Sequence, residues 1–515
     1  MLLLTLLLLP LLGAALIAVH PGMHRACAGR FAILWAVLPV VLVAMLAIHG
    51  ESGDSRSNGV MAAWSQPWLT GAHINLSFAV DGTSWLFLLL TSLVTLFSLA
   101  VSARFEIGGR AYGGLILVME SMLFGVFTAR QFIPWFLCWE MTLIPAYLLI
   151  RLWGGRNAPR AALRFFIITL GGGVCMLLGF LALQLSAGTM DFDCLSQMAA
   201  HHKLATAMGQ SFVATGLGGG TLLTIAAVLV FLGLAVKIPI VPFHAWLPDA
   251  YAEAPTPVTM LLTGLLSKMG VYGLLRIFLP VFSEVLPGFA PWLNTLAVAT
   301  VLLGSVAALA QKDLKRILAY SSVNHLGYCV LAVAAVAASQ ADRSSCASAV
   351  SGVVLQAFNH GIIASAMFFG IAILEQRGGG ARNLNDFGGL RSNMPVFAGV
   401  MGIAVFASLG LPGLSGFVGE FLIFNGVFGL GPWAAAVSLI GLLLTAVFLL
   451  RLIRLVFHGP VSSTMAKWQD LTTCERWLFA PAIALIVIPG LLPQTLLHFV
   501  NADTLRLLEH FHTLP

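Results

Sequence analysis

The sequence predicts an all-α polytopic membrane protein of about fourteen transmembrane helices, with two inverted five-helix repeats that each contain a broken helix, spans 7 and 12. Three observations predict that class. Only 9% of the 515 residues are charged and 59% are hydrophobic, whereas a soluble domain carries roughly 25% charged residues. A deficit running the whole length points to lipid as the solvent. Next, stretches apolar enough to cross about 30 Å of hydrocarbon recur near 2–19, 31–49, 83–103, 112–129, 131–150, 162–186, 221–248, 257–279, 291–310, 316–336, 348–375, 395–430, 433–457 and 476–500. Last, the basic residues alternate in density between successive connections, as the positive-inside rule requires.

With the N-terminus placed outside, the inside connections hold eighteen Lys and Arg, among them Arg104, Arg151, Lys315 and Arg382. The outside holds six: Arg56, Arg130, Lys203, Arg276, Arg343 and Arg506. A miscounted helix would have scrambled that bias, so it supports the even span count and puts both termini on the periplasmic side of a bacterial inner membrane. The formal charge of +6 is dispersed over these short loops and predicts no nucleic-acid partner.

The opening "MLLLTLLLLPLLGAALIAVH" has no basic n-region. It is therefore expected to be the first membrane helix rather than a signal peptide. The seven cysteines form no C-x-x-C pair and most stand in apolar runs, where free Cys packs as a small hydrophobe. No nucleotide-binding glycine fingerprint, P-loop, haem or zinc spacing is present. The runs "GGG" at 171–173 and 218–220 are expected in helix packing or loops. The chain is thus expected to hold no cofactor or metal and to act directly on no small-molecule redox substrate.

The two longest stretches contain helix breakers. "GLAVKIPIVPFHAWLPDA" at 233–250 and "LGLPGLSG" at 409–416 interrupt spans 7 and 12. Backbone is broken at membrane depth only where it lines protein or water, and paired breaks in two halves mark transporter-type internal repeats. Five spans per repeat is an odd number, so the halves run in opposite senses. The domain reading is an N-terminal three-helix segment at 1–111, half-channels at 112–279 and 280–457, and a C-terminal helix and tail at 458–515.

Ionisable residues inside spans cost about 2.5–3.5 kcal/mol each on insertion scales, so each requires a partner or a purpose. They are Glu120, Glu140, Lys237, Lys268 and Glu420, with His244, His325 and His360 beside them. Static ion pairs locking helices together are the plain alternative. Small residues pack helices at lower cost, and so many charges on so many spans favour proton handling. Lys237 stands in the last turn before Pro239, where helix carbonyls favour a cation while burial disfavours one. A lysine between these influences can take up and release a proton. Glu420 stands near the start of the half-helix after the second break, where the dipole favours an anion. Glu140 is the expected partner of Lys237. Lys268 lies near the junction of the repeats, with His325 and His360 between it and Glu420 in chain order. His244 flanks the first break. Glu120 is expected either to face a cavity or to pair with Arg130.

The blocks "FLCWEMTLIPAYLLI", "AVKIPIVPFHAWLPDAYAEAPTPVTMLLTGLLSKMGVYGLLR", "QKDLKRILAYSSVNHLGY", "LQAFNHGI" and "GLPGLSGFVGEF" closely resemble the antiporter-like subunits of respiratory complex I, from about residue 78 to 460. The resemblance implies a proton-translocating membrane-arm subunit of an NADH:quinone oxidoreductase. It places Glu140 and Lys237 at the family's ion pair, Lys268 at its central lysine, His325 and His360 at its connecting histidines and Glu420 at its terminal glutamate. Sister branches generally carry lysine at that last position. The implied partners are L-like and N-like neighbours in the bilayer, with flavin, iron–sulfur clusters and quinone in other subunits. A multi-subunit cation/proton antiporter, a membrane-bound hydrogenase and a purely structural spacer are the alternatives. The chain departs from the family at "TPVT", residues 256–259, where an Ala-Gly-Ser-like run is often found.

Overall fold

The computed structural model describes residues 1–20, 24–52, 59–72, 74–338, 342–461 and 465–512. Arg56, one of the expected outer cations, lies outside them. Among the described residues, thirteen helical stretches are long and apolar enough to cross a membrane. The remaining crossing is made by two shorter apolar helices, Pro395–Ser408 and Ser415–Leu430, which together form span 12. The count of fourteen follows.

Burial sorts these helices into layers. The most apolar parts of span 8 (Thr256–Val281) and span 11 (Arg343–Arg377) are buried throughout, and span 10 (Leu314–Ala338) is 94% buried. Span 1 (Leu2–Val19), span 2 (Cys27–Ile48), span 13 (Pro432–Phe457) and span 14 (Thr473–Leu491) are buried over only 28–39% of theirs. Lipid tails are as apolar as leucine, so those outer helices lose nothing by facing them. The polar residues concentrate instead on the inner three.

Proline and glycine account for the breaks. Span 7 is helical over Gly219–Lys237, then irregular, and resumes as Phe243–Trp246 and Leu247–Glu253. Pro239 and Pro242 have no N–H to continue the ladder. The Trp246 indole donates to the freed Val236 carbonyl at 2.9 Å, and Val241 N–H donates to Thr300 Oγ1 at 3.0 Å. Span 5 is interrupted at Thr142, between Phe132–Met141 and Leu143–Trp153, four residues after Cys138 and just before Pro145. Span 8 carries two π-helical turns, Leu262–Leu266 and Leu274–Phe278. Such turns concentrate at functional sites.

Two features differ from the sequence expectation. The connection between spans 2 and 3 contains an antiparallel hairpin, β1 (Val60–Leu69) with β2 (Ile74–Asp81), in which Trp64 pairs with Phe78. Arg130 N–H donates to the Ser77 carbonyl at 2.9 Å, tying the hairpin to the loop before span 5. The expected last span at 476–500 divides into Thr473–Leu491 and a second helix, Gln494–His512. Pro493 separates them. The second helix packs Phe499 on Trp85 with ring centroids 4.2 Å apart, and Asp503 accepts from Thr83 N–H at 2.7 Å. At the opposite end, Glu475 at the start of span 14 bridges Arg104 (3.2 Å) and Arg377 (2.8 Å).

Candidate proton-transfer site

Spans 8, 10, 11 and 12 bring four of the expected residues into one line. Lys268 is fully buried on span 8. Its Nζ donates to the Thr263 carbonyl at 2.6 Å and to Ser267 Oγ at 3.4 Å, and lies 2.7 Å from His360 Nδ1. The carbonyl it reaches is five residues back, inside the π turn. The His360 ring stands 5.3 Å, centroid to centroid, from that of His325. His325 Nδ1 lies 3.1 Å from Glu420 Oε1, and its Nε2 is 3.1 Å from Ser408 Oγ. Gln356 Nε2 donates to Glu420 Oε1 at 3.4 Å. A cation, two imidazoles and a carboxylate thus follow one another, all in the interior. An imidazole accepts a proton at one nitrogen and releases one from the other, so the geometry suits a relay.

The break in span 12 shapes the carboxylate end. Ser408 closes the first half-helix and touches His325. Gly410 follows at φ +72°, a conformation that a residue with a Cβ adopts only with strain. A Cβ there would stand 2.5 Å from Glu420 Oε2, so the glycine lets the carboxylate lie against the broken backbone. Asn359 Nδ2 donates to the Ser415 carbonyl at 2.6 Å, fastening span 11 to the second half-helix. Glu420 is the sixth residue of that half-helix, Ser415–Leu430, beyond the first turn where the dipole acts. Its direct neighbours, His325 and Gln356, supply most of its environment.

The other expected pair is arranged differently. Lys237 Nζ and both Glu140 oxygens are buried without hydrogen-bond partners among the described residues. Each is nonetheless a charged neighbour acting on the other. No hydrogen bond joins them, and Lys237 Nζ sits 5.3 Å from the Trp139 ring centroid, a favourable place for a cation. Gly173 makes room for Glu140: a Cβ there would collide with Glu140 Oε1. Its neighbour Gly172 packs on Gly233 and Val236 of span 7. No side-chain hydrogen bond joins Lys237 to Lys268 among the described residues. Leu234 and Ile238 pack against Gly270 and Gly273 in that interval.

His244 stands apart from the line, half-buried, with its ring 6.1 Å from that of Tyr320. Glu120 does not pair with Arg130. Arg130 donates to Asp81 at 2.9 Å, and Arg276 reaches the same oxygen at 3.0 Å. Asp81 occupies the arginine because both lie at the helix ends that the hairpin ties together. Glu120 is fully buried, and neither of its oxygens has a hydrogen-bond partner among the described residues.

Residues 129–445 match the family described as NADH:quinone oxidoreductase/Mrp antiporter, transmembrane. The chain belongs to that family. NADH-quinone oxidoreductase subunit M of Rhodobacter capsulatus is 34% identical over 508 residues, covering 98% of this chain and 96% of the relative. A chain of respiratory complex I from Thermus thermophilus with bound NADH superposes with a TM-score of 0.83 at 27% identity, over 99% of this chain and 100% of that one. The Mrp complex from a Dietzia species contains a chain with a TM-score of 0.80 at 23% identity, covering 98% of this chain and 52% of that one. That last likeness is one of fold.

Sequence reasoning missed the residues that make space or hold orientation. Gly173 and Gly410 are uncharged and their role exists only opposite a glutamate. Gln356, Asn359 and Ser408 are ordinary polar residues in a helix until spans 11 and 12 meet. The "GGG" at 171–173 was the one available signal, and it is a packing face that also accommodates Glu140.

Proposed function

We propose that this chain is a proton-translocating subunit of the membrane arm of an NADH:quinone oxidoreductase. The observation that carries the reading is the buried succession Lys268, His360, His325, Glu420, with Lys268 on His360, the two imidazole rings 5.3 Å apart and His325 beside Glu420. A static packing role needs no such series. Quinone reduction in another subunit alters the charge presented to Glu140. Lys237, held near Glu140 but out of contact, responds by passing its proton toward Lys268 through water between spans 7 and 8. His360 and His325 hand it to Glu420, which releases it on the far side. The half-channels are 112–279 and 280–457, framed by 1–111 and 458–515. Flavin, iron–sulfur clusters and quinone belong to partner subunits, L-like and N-like subunits flank this one, and both termini lie on the periplasmic side of the inner membrane.

Lys237→Ala and Glu140→Ala test this reading. Each is expected to abolish most coupled electron transfer while the complex still assembles, measured as NADH-driven quinone reduction and acidification of inside-out vesicles. Wild-type turnover and pumping in both variants would defeat it.

The Mrp antiporter in the family description favours a second reading, a subunit of a cation/proton antiporter. Glu420, where the antiporter branches generally resemble one another in carrying lysine, argues against it. Co-purification with flavin and iron–sulfur subunits supports the first reading. Nickel in the purified assembly would indicate a hydrogenase, and absence of redox centres an antiporter.

A further inference from the structure

We propose that protons reach Lys268 from the face bearing the basic loops, through Glu375 and a ladder of hydroxyls, Thr256, Thr259, Thr263 and Ser267, along span 8. The inference rests on the proton-transfer reading of Lys268 and adds a second input to that lysine beside the one from Lys237. Its lower end is a cavity of about 630 Å³ lined by Thr256, Lys315, Glu375 and Arg382. Lys315 is buried, pairs with Glu375 Oε1 at 3.0 Å and donates to the Ala254 carbonyl at 3.1 Å. The Thr256 hydroxyl donates to Glu375 Oε2 across the helix interface. Glu375 is thereby held at the rim, one oxygen on the cation and the other on the first rung.

The rungs are spaced three, four and four residues apart, so they share one helix face. All four are buried. Thr263 Oγ1 lies 3.1 Å from Ser322 Oγ, Ser267 Oγ donates to the Thr263 carbonyl at 3.1 Å, and Lys268 Nζ reaches Ser267 Oγ at 3.4 Å. The Tyr251 hydroxyl lies beside Thr263 and Ser267 without completing a hydrogen bond, leaving a donor and acceptor facing the ladder. From Thr256 to Lys268 the rise is about 18 Å at 1.5 Å per residue, slightly over half of the ~30 Å hydrocarbon thickness. Spans 8, 10 and 11 each contribute a group at the cavity and a group at the centre: Thr256 and Lys268, Lys315 and His325, Glu375 and His360.

Hydroxyls inside membrane helices also bond to backbone carbonyls: Thr259 donates to the Tyr251 carbonyl at 3.0 Å and toward that of Pro255 at 3.4 Å, and Ser267 to that of Thr263. Two observations exceed that habit. Thr256 and Thr263 point to other helices, and the π turn places the Thr263 carbonyl under the lysine head. The "TPVT" run at 256–259 contributes the two lowest rungs. In each transfer the Glu375 carboxylate takes a proton from a hydronium ion that reaches the cavity from bulk, leaving water, and each hydroxyl accepts one at oxygen and releases its own. The neutral amine of Lys268 receives the last, and the hydroxyls reorient before the next.

The test uses the assembled complex in inside-out vesicles, comparing Thr263→Val, Thr263→Ser, Glu375→Gln and Lys268→Ala. Thr263→Val keeps the shape and loses the hydroxyl. It is expected to lower coupled turnover about tenfold, the low end for a lost proton-transfer group, with normal complex content and a larger solvent deuterium isotope effect. Thr263→Ser restores turnover to within about twofold, and Glu375→Gln behaves like Thr263→Val. Equal losses in Thr263→Val and Thr263→Ser would indicate packing and overturn the ladder. Normal pumping in Thr263→Val or Glu375→Gln, while Lys268→Ala is blocked, overturns the route alone. Normal pumping in Lys268→Ala overturns both the route and the function it serves.

Discussion

Replacing Gly410 by alanine isolates the placement of Glu420 from its chemistry. The added Cβ would stand 2.5 Å from Glu420 Oε2, whereas an ordinary contact of this kind begins near 3.4 Å. The carboxylate must therefore move by about 0.9 Å, because the backbone of the break is less free than a side-chain end. That displacement is large beside the 3.1 Å separation of Glu420 Oε1 from His325 Nδ1, and a misplacement of about 1 Å can cost on the order of 10²-fold in rate. The φ of +72° adds about 1–2 kcal/mol of backbone strain in any residue with a Cβ. Gly413 provides the control. It lies in the same break at φ +92°, and a Cβ there meets only Leu491 Cδ2 at 3.8 Å. Gly413→Ala suffers the strain without touching Glu420. Both variants should lose similar thermal stability, and only Gly410→Ala should lose most proton pumping, read as vesicle acidification per quinone reduced. Equal pumping by the two variants, at equal complex content, would refute the argument that the glycine positions the carboxylate.

Gly173→Ala should act on the other glutamate in the same way: its Cβ meets Glu140 Oε1, so coupled turnover should fall severalfold, while Gly171→Ala, whose Cβ meets nothing within 4 Å, should leave it unchanged. At the end of the bundle that holds the hairpin, burial first and the Asp81 charge second push Asp503 up to about 7, against the pull of Thr83 N–H, Arg506 and Arg130. A carboxyl raised in this way leaves the fold unpenalised below its unfolded value near 3.9, and the cost of ionising it grows as pH rises to about 7. Asp503→Asn keeps an acceptor for Thr83 N–H and removes the ionisation. Its Tm in detergent should exceed that of the wild type at pH 8, by a difference on the order of 3–4 kcal/mol, and the gain should vanish by about pH 4. A gain that does not vary with pH would refute the assignment.

Much of the fold was legible because lipid imposes strong rules on sequence. Apolar length gives the spans, and the placement of Arg and Lys gives their alternation. Prolines in "KIPIVPFHAWLP" and glycines in "LGLPGLSG" give the two breaks. The hairpin at 60–81 was hidden because neither "VMAAWSQPWL" nor "INLSFAVD" alternates strictly and the first carries Pro67, a residue that argues against a strand in sequence. The division of the last helix was hidden because Pro493 sits inside an apolar run that continues past it. Of the site, the charged residues and histidines were visible because each is costly in a span. Their pairings were not. Glu120 and Arg130 are ten residues apart and do not meet, whereas Arg130 and Asp81, forty-nine apart, do.

By itself, the sequence determined that this chain crosses the membrane about fourteen times, breaks twice at depth, and buries a small set of proton-binding groups there. Those properties follow from transfer free energies and backbone chemistry, which act residue by residue. Only the tertiary structure decided that Lys268, His360, His325 and Glu420 form one line while Lys237 and Glu140 stand apart from contact. It also turned glycines and hydroxyls with no signature of their own into space and rungs. Proton transfer requires contacts of a few ångströms, and those are set by how spans 7, 8, 10, 11 and 12 pack, which depends on all of them at once.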